Sequence, residues 1–210
     1  MNTIDIKQQL KSTYNNIAQD FDRTRHKPWK EVVNFLKNIK DKNATILDLG
    51  CGNGRHLRAA KELGFNNFIA VDFSSSFVKI VKKSFPNAKV IKSDLTDLSK
   101  IKNNSVDAIL YIAALHHLPT EKERNKSLIE CRRVLKKDGK IIISAWSADN
   151  EKFKNIKDIK NDIMHTWDKK YKRFYHLFEK KELEGLLKKT KFRKIKEWKS
   201  KDNVWSTAEK

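Results

Sequence analysis

The sequence predicts an α/β protein built on a doubly wound, mostly parallel seven-stranded sheet that closes in a C-terminal antiparallel hairpin. Three observations predict it. Short apolar runs alternate with stretches of helical period through the first two-thirds of the chain, the pattern of parallel strands joined by crossover helices. A glycine-rich loop, Gly50-Cys51-Gly52-Asn53-Gly54, follows the first apolar run. Acidic residues, Asp48, Asp72 and Asp94, stand at or near the ends of three successive runs.

The elements follow in order. Ile6, Leu10, Tyr14, Ile17 and Phe21 recur at helical spacing over residues 4–21. Pro28 suits a first helical turn, and Val32, Val33, Phe35, Leu36 and Ile39 then make a second apolar face. Residues 45–50 form the first strand, and a helix after the glycine loop ends near Leu63, where Gly64 can stop it. Residues 68–73 form the second strand. Ser74 to Ser76 can cap a helix carrying Phe77, Ile80, Val81 and Phe85. Residues 89–93 make a third strand. Residues 106–114 make a fourth, apolar almost throughout and therefore central. Thr120 and Glu123 read as a capping box that opens a helix through Leu135. Asp138-Gly139 turns the chain into a fifth strand over residues 140–146. Beyond Ser147 a basic stretch reads as helical, followed by a helix over residues 179–189 and two short strands, 192–198 and 204–208.

Composition narrows the class. The chain has 210 residues, 39% of them apolar and 34% charged, which suits one folded α/β domain. No repeat or low-complexity linker divides it, and a single domain over 1–210 is expected. No apolar run reaches the length of about 20 residues that a bilayer requires, and the first residues lack the apolar core of a secretory leader. Cytoplasmic residence, with no membrane partner, is the expectation. Forty-six Lys and Arg against 26 Asp and Glu leave a formal charge of +20. A polyanionic partner would account for that excess; so would compositional drift, since Lys, Asn and Ile are abundant together. Two cysteines, Cys51 and Cys131, provide neither a disulfide framework nor a CxxC metal pair, and no metal site is expected.

The glycine loop discriminates among ligands. It lies at the C-terminal end of the first strand, where open α/β sheets bind them. A dinucleotide fingerprint needs Gly-x-Gly-x-x-Gly, but the sixth position is Arg55 counted from Gly50 and Leu57 counted from Gly52. No Gly-Lys-Ser/Thr follows, so the phosphate-loop pattern fails too. What remains, Asp48-x-Gly50-x-Gly52-x-Gly54, resembles motif I of the class I methyltransferases. That resemblance implies S-adenosylmethionine as cofactor. Asp48 would order the loop and the ligand's amino group, while Gly50, Cys51, Gly52 and Gly54 would approach its methionine portion. Asp72, about twenty residues on, would take the ribose, and Asp94 would lie near the adenine amino group. Ala113, where the fourth strand runs out into Ala114-Leu115-His116-His117, would complete the cofactor site.

Several segments outside that core resemble one family more closely. They are Tyr14-Asn15-Asn16-Ile17-Ala18, Arg25-His26-Lys27-Pro28-Trp29, Ala145-Trp146 and Arg173-Phe174-Tyr175-His176-Leu177. Together they are similar to the tRNA wobble-uridine carboxymethyl methyltransferases, and the likeness covers nearly the whole chain. It implies esterification of 5-carboxymethyluridine in the tRNA anticodon, with Arg25, His116 and Arg173 at the catalytic centre. Lys27, Trp29, His117, Tyr175 and His176 would bind substrate. Residues 1–40 would then be N-terminal helices, 41–147 the cofactor-binding core and 148–210 the substrate side. A small zinc-binding activator subunit is implied as partner, pairing with the third strand at the sheet edge. A small-molecule methyltransferase of quinone or lipid-precursor type stays open, and there His116 would act as general base; a non-catalytic RNA-binding module is the third reading.

Overall fold

Along the first strand, side chains alternate between two cores, and that alternation organises the molecule. A computed structural model describes residues 2–153, 155, 161–179 and 181–210. Helices α1 (Thr3–Thr24) and α2 (Lys30–Lys37) precede β1 (Thr45–Leu49), α3 (Arg55–Glu62), β2 (Asn67–Asp72), α4 (Ser75–Ser84), β3 (Lys89–Lys92) and β4 (Val106–Ile112). Then come α5 (Glu121–Val134), β5 (Leu135–Trp146), β6 (Asp162–Trp167), β7 (Tyr171–His176), α6 (Glu182–Lys189), β8 (Arg193–Ser200) and β9 (Asn203–Glu209). Leu47 and Leu49 of β1 pack with Leu128 and Cys131 of α5 and Leu183 and Leu187 of α6. Ile46 packs on the opposite face with Val32 and Leu36 of α2, Leu57 of α3 and Val81 of α4. Period-two alternation thus places helices on both faces of one sheet.

The strand order is β3-β2-β1-β4-β5-β9-β8. Pairs among β1 to β5 are parallel, while β9 runs antiparallel to both β5 and β8. The apolar fourth strand is central, as its composition predicts, and β3 lies at one edge. Three local signals act as read, whereas Pro28 lies ahead of the α2 N-cap Trp29 and Asp138-Gly139 falls inside β5. Ser74 Oγ accepts the Phe77 amide, Thr120 Oγ1 accepts the Glu123 amide, and Gly64 adopts φ +91° after α3.

One expected element is different. The basic stretch after Ser147 holds a single 3-10 turn, Glu151–Phe153, and the two-stranded hairpin β6-β7 in place of a helix. In β6 Ile163 is buried and Met164 exposed, whereas β7 buries Arg173 to His176 in a row, so a strand pair forms where charge density suggested a helix. The remainder of the expected helix, residues 154 and 156–160, lies outside the described residues. The final helix begins at Glu182, three residues later than the sequence suggests. Among the described residues no helix is long and apolar enough to cross a membrane.

Candidate active site

Where β1 ends, at the point where strand order reverses between β1 and β4, the chain makes its tightest turns. Gly50, Gly52 and Gly54 all have positive φ, +75°, +51° and +73°. A Cβ on Gly50 would lie 2.5 Å from the Ala114 Cβ, so only glycine lets the loop meet the end of β4. Backbone donors tie the loop to β2. The Gly50 and Cys51 amides both donate to the Val71 carbonyl, at 2.8 and 3.0 Å. The Gly52 amide donates to Asp72 Oδ2 at 2.9 Å, and Asp72 Oδ1 accepts the Ser74 amide. Burial lifts the Asp72 carboxyl to about 6 despite these amide donors. Asp48 is buried more deeply still. Its Oδ2 has no hydrogen-bond partner, and burial raises its pKa to about 7 against the opposing pull of Arg55.

The loop forms one wall of a cavity of about 890 Å³. Gly50, Cys51, Gly52, Asp72, Asp94 and Ala113 line it, while Asp48 and Gly54 stand behind the wall. Gly54 serves packing: a Cβ there would meet Phe85 and Val81 of α4 at 3.1 and 3.3 Å. Cys51 is buried and its thiol pKa is pushed well up by burial, which leaves it inert as a nucleophile. Asp94, just past β3, accepts from the Thr96 amide and hydroxyl and pairs with Lys7 of α1 at 3.2 Å. Burial would raise its pKa, but those donors outweigh it and hold the group below the ordinary carboxylate value. Lys7, Leu10, Tyr14 and Phe21 all line the cavity, so one face of α1 forms its roof.

The far end of the cavity carries the remaining candidates. Ala113 holds φ +52°, a conformation that costs a non-glycine residue about 1–2 kcal/mol, and its amide donates to both Ser144 O and Oγ at 3.0 Å. The turn Leu115–His117 follows. His116 Nδ1 accepts the Trp146 amide at 3.0 Å, and the ring also hydrogen-bonds the Ala113 backbone. Burial, with His117 and Arg173 nearby, lowers its pKa well below the usual value. His116 thus braces β4 against β5 through Nδ1 while its ring lines the cavity. The lowered pKa speaks against the general-base role and leaves its place beside an acceptor standing. His117 is held as firmly. Its Nδ1 donates to Phe174 O at 2.7 Å and its Nε2 accepts the Tyr14 hydroxyl at 2.6 Å. Burial drives its pKa down to about 3.

Strand β7 supplies the next residues by alternation. Arg173 and Tyr175 face the cavity, and Tyr175 stacks on Trp146 with centroids 3.9 Å apart and planes 4° apart. Arg173 is only 7% exposed, its Nε has no partner, and no carboxylate lies within ion-pair distance of it among the described residues. Its guanidinium lies 5.1 Å from the Trp167 ring centre, and that of Arg25 lies 5.0 Å from the same ring. Two expected residues are elsewhere. His176 is clamped between Asp162 and Glu182, at 2.7 and 2.8 Å, and fastens the hairpin to α6 outside the cavity. Lys27 is exposed and does not line the cavity. Trp29 lines the rim but also packs on Trp205, 5.3 Å away, and beneath the Arg55 guanidinium.

Sequence reasoning missed Lys7, Phe21, Arg55 and Trp167, all of them lining residues. Lys7, Tyr14 and Phe21 share one helical stripe, a signal that could have been followed. Trp167 had none, because its stretch was read as helix.

The fit to a nucleoside-bearing cofactor is good. Glycine backbone at positive φ, a lining Asp72 and a cavity of this volume suit a ligand with a ribose and a zwitterionic tail. Comparisons with known proteins agree. Residues 47–143 match the family described as Methyltransferase domain. A tRNA (carboxymethyluridine(34)-5-O)-methyltransferase of Arabidopsis thaliana is 36% identical over 69% of the chain and 34% of its own length. The enzyme of that same description from Schizosaccharomyces pombe is 28% identical over 94% of both chains. The chain spans only 22–34% of the length of the first animal and plant relatives it matches. Among solved structures, a methyltransferase in complex with the Haloferax volcanii Trm112 methyltransferase activator superposes with TM-score 0.76. That pair shares 14% identity and covers 95% of this chain and 96% of that one.

Proposed function

We propose that the chain is a class I S-adenosylmethionine-dependent methyltransferase that esterifies the carboxymethyl group of 5-carboxymethyluridine at the wobble position of tRNA. One observation carries the choice of acceptor. Arg173 is a buried guanidinium on the cavity wall with no carboxylate partner among the described residues, beside His116 and His117, whose pKa values burial lowers. Such a cation is costly to bury unless an anion arrives to pair with it. The relatives described as carboxymethyluridine methyltransferases supply an anion of the right kind.

The proposed roles follow from the geometry. Gly50, Cys51, Gly52 and Asp72 would hold the cofactor, which supplies an electrophilic methyl group on a sulfonium. Asp48, behind the wall, would set the loop and balance the cofactor's positive tail. An acceptor carboxylate is ionised near neutral pH and needs no general base. Arg173 would orient it by charge-assisted hydrogen bonds. Arg173 is itself set by Tyr14, whose hydroxyl it also reaches, and Tyr14 by His117. Arg25 would assist from the rim. The chain's contribution is positioning and water exclusion.

The relatives also support a partner. The outer side of β3 has no strand neighbour, and in the Haloferax complex an activator accompanies the methyltransferase. A small zinc-binding activator seated on β3 is part of the proposal, as is residence in the cytoplasm. Its zinc would be its own, since no group of residues suited to a metal ion occurs among those described.

The test incubates the full chain, with and without the activator, with labelled S-adenosylmethionine and bulk tRNA, followed by nucleoside analysis. A label released by mild base, as a methyl ester is, is the expected result. Arg173→Met should lower kcat/KM by roughly 10–150-fold, with partial recovery in Arg173→Lys. A base-stable methyl group, or label entering only small molecules, would overturn the assignment.

A further inference from the structure

We propose that Trp167, at the tip of the β6-β7 hairpin, is the stacking platform for the target pyrimidine and sets the enzyme's preference for a nucleobase-borne acid. The proposal rests on the wobble-uridine reading above and adds the residue that would recognise the ring itself.

Trp167 is unusual among the large side chains. It lines the cavity and is half-buried, yet it belongs to none of the four apolar cores. Its ring neighbours are Phe21, at 5.9 Å, and the guanidinium groups of Arg25 and Arg173. Phe21 in turn stands over the glycine loop, 3.6 Å from where a Cβ on Gly52 would lie. The indole is therefore one ring further out than the glycine loop. Among the described residues neither arginine is within ion-pair distance of a carboxylate: Arg173 Nε has no partner, and Arg25 donates to the Thr24 carbonyl at 3.4 Å. An indole with two guanidinium groups gathered over its ring matches a planar ring that carries an anionic substituent: the cations move to the charge and the indole takes the ring.

The hairpin is built to hold the ring there. Trp167 pairs with Tyr171 in register, and the Lys170 amide closes the turn on Trp167 O at 3.1 Å. The two central residues, Asp168 and Lys169, have φ of +50° and +53°, the twist that a tight hairpin requires and that side-chain-bearing residues adopt at a cost. At the other end, His176 is clamped between Asp162 and Glu182. A strained turn on a pinned base gives a half-buried tryptophan a fixed place, which stacking recognition needs.

The experiment compares the full chain with Trp167→Ala and Trp167→Phe, using an anticodon stem-loop RNA bearing 5-carboxymethyluridine and, separately, S-adenosylhomocysteine. Trp167→Ala should raise KM for the stem-loop about tenfold or more. Trp167→Phe should stay within about threefold of the parent, since a smaller aromatic face still stacks. Affinity for S-adenosylhomocysteine and melting temperature should be unchanged in both. Unchanged stem-loop kinetics in Trp167→Ala, alongside an active parent, would overturn this inference and leave the proposed function standing. A parallel loss of S-adenosylhomocysteine affinity would also overturn it and make Trp167 a cover for the cofactor. A parent that does not methylate the stem-loop at all would remove the wobble-uridine reading, and this inference with it.

Discussion

Two buried carboxylates behind and beside the glycine loop carry raised pKa values, and their sign has a consequence for stability. Asp48 titrates near 7 and Asp72 near 6, both pushed up by burial. For a carboxyl group whose folded pKa exceeds its unfolded one, the folded state holds the proton longer. Its contribution is most favourable below the unfolded value and is lost as pH climbs toward the folded one. In the ligand-free protein the window for Asp48 runs from about 4 to about 7. Asp48→Asn should therefore match the parent at pH 4 and gain on it as pH rises. By pH 8 its melting temperature should exceed the parent's by ~2 °C or more, the shift produced by about 1 kcal/mol. A pH-independent difference between the two melting curves would sink the assignment. The residue scale also shows how a motif misleads. Two adjacent histidines at a site mouth suggest acid–base chemistry, yet burial lowers both pKa values, and His117 spends both nitrogens on Phe174 and Tyr14.

Between elements, the decisive contact is that of the glycine loop with the end of β4. Gly50→Ala puts a methyl group 2.5 Å from the Ala114 Cβ in a backbone at φ +75°. It should destabilise the protein by ~2 kcal/mol or more, combining left-handed strain with overpacking. Gly50→Ala with Ala114→Gly should recover part of that loss, because the double variant removes the clash and leaves the backbone strain. Thermal melts of the three variants measure it; a double variant no better than the single one would show that the clash is not the cause. The elements also differ in how legible they were. Strands β1 to β5 and their helices were readable because each apolar run had one partner periodicity and local caps, as with Ser74 and Thr120. The β6-β7 hairpin was not, since its tip bears Asp168, Lys169 and Lys170 where a tight turn would ordinarily carry glycine or asparagine.

At the scale of the molecule, the +20 charge is the widest feature. Arg23, Arg25, Arg55 and Lys152 all line the cavity, so part of the excess borders its mouth. Binding of tRNA should weaken about tenfold or more between 50 and 200 mM salt, as counterion release requires. Affinity for S-adenosylhomocysteine should hardly move over that range. A flat response for both would point to a small acceptor and assign the charge to compositional drift.

The sequence by itself determined the doubly wound sheet, the central β4 and the cofactor loop. These follow from periodicity, turn residues and glycine spacing, which are local and survive without knowledge of the fold. Only the tertiary structure decided which residues face one another across the cavity. It sent Gly54 to helix packing, His116 to a brace and His176 to a clamp, while bringing Lys7, Phe21 and Trp167 into the wall. The reason is physical. A side chain's chemistry is fixed by its type, but its role depends on which hydrogen bonds, charges and rings reach it from elements 50 to 160 residues away, such as Lys7 to Asp94 and Thr13 to Lys172.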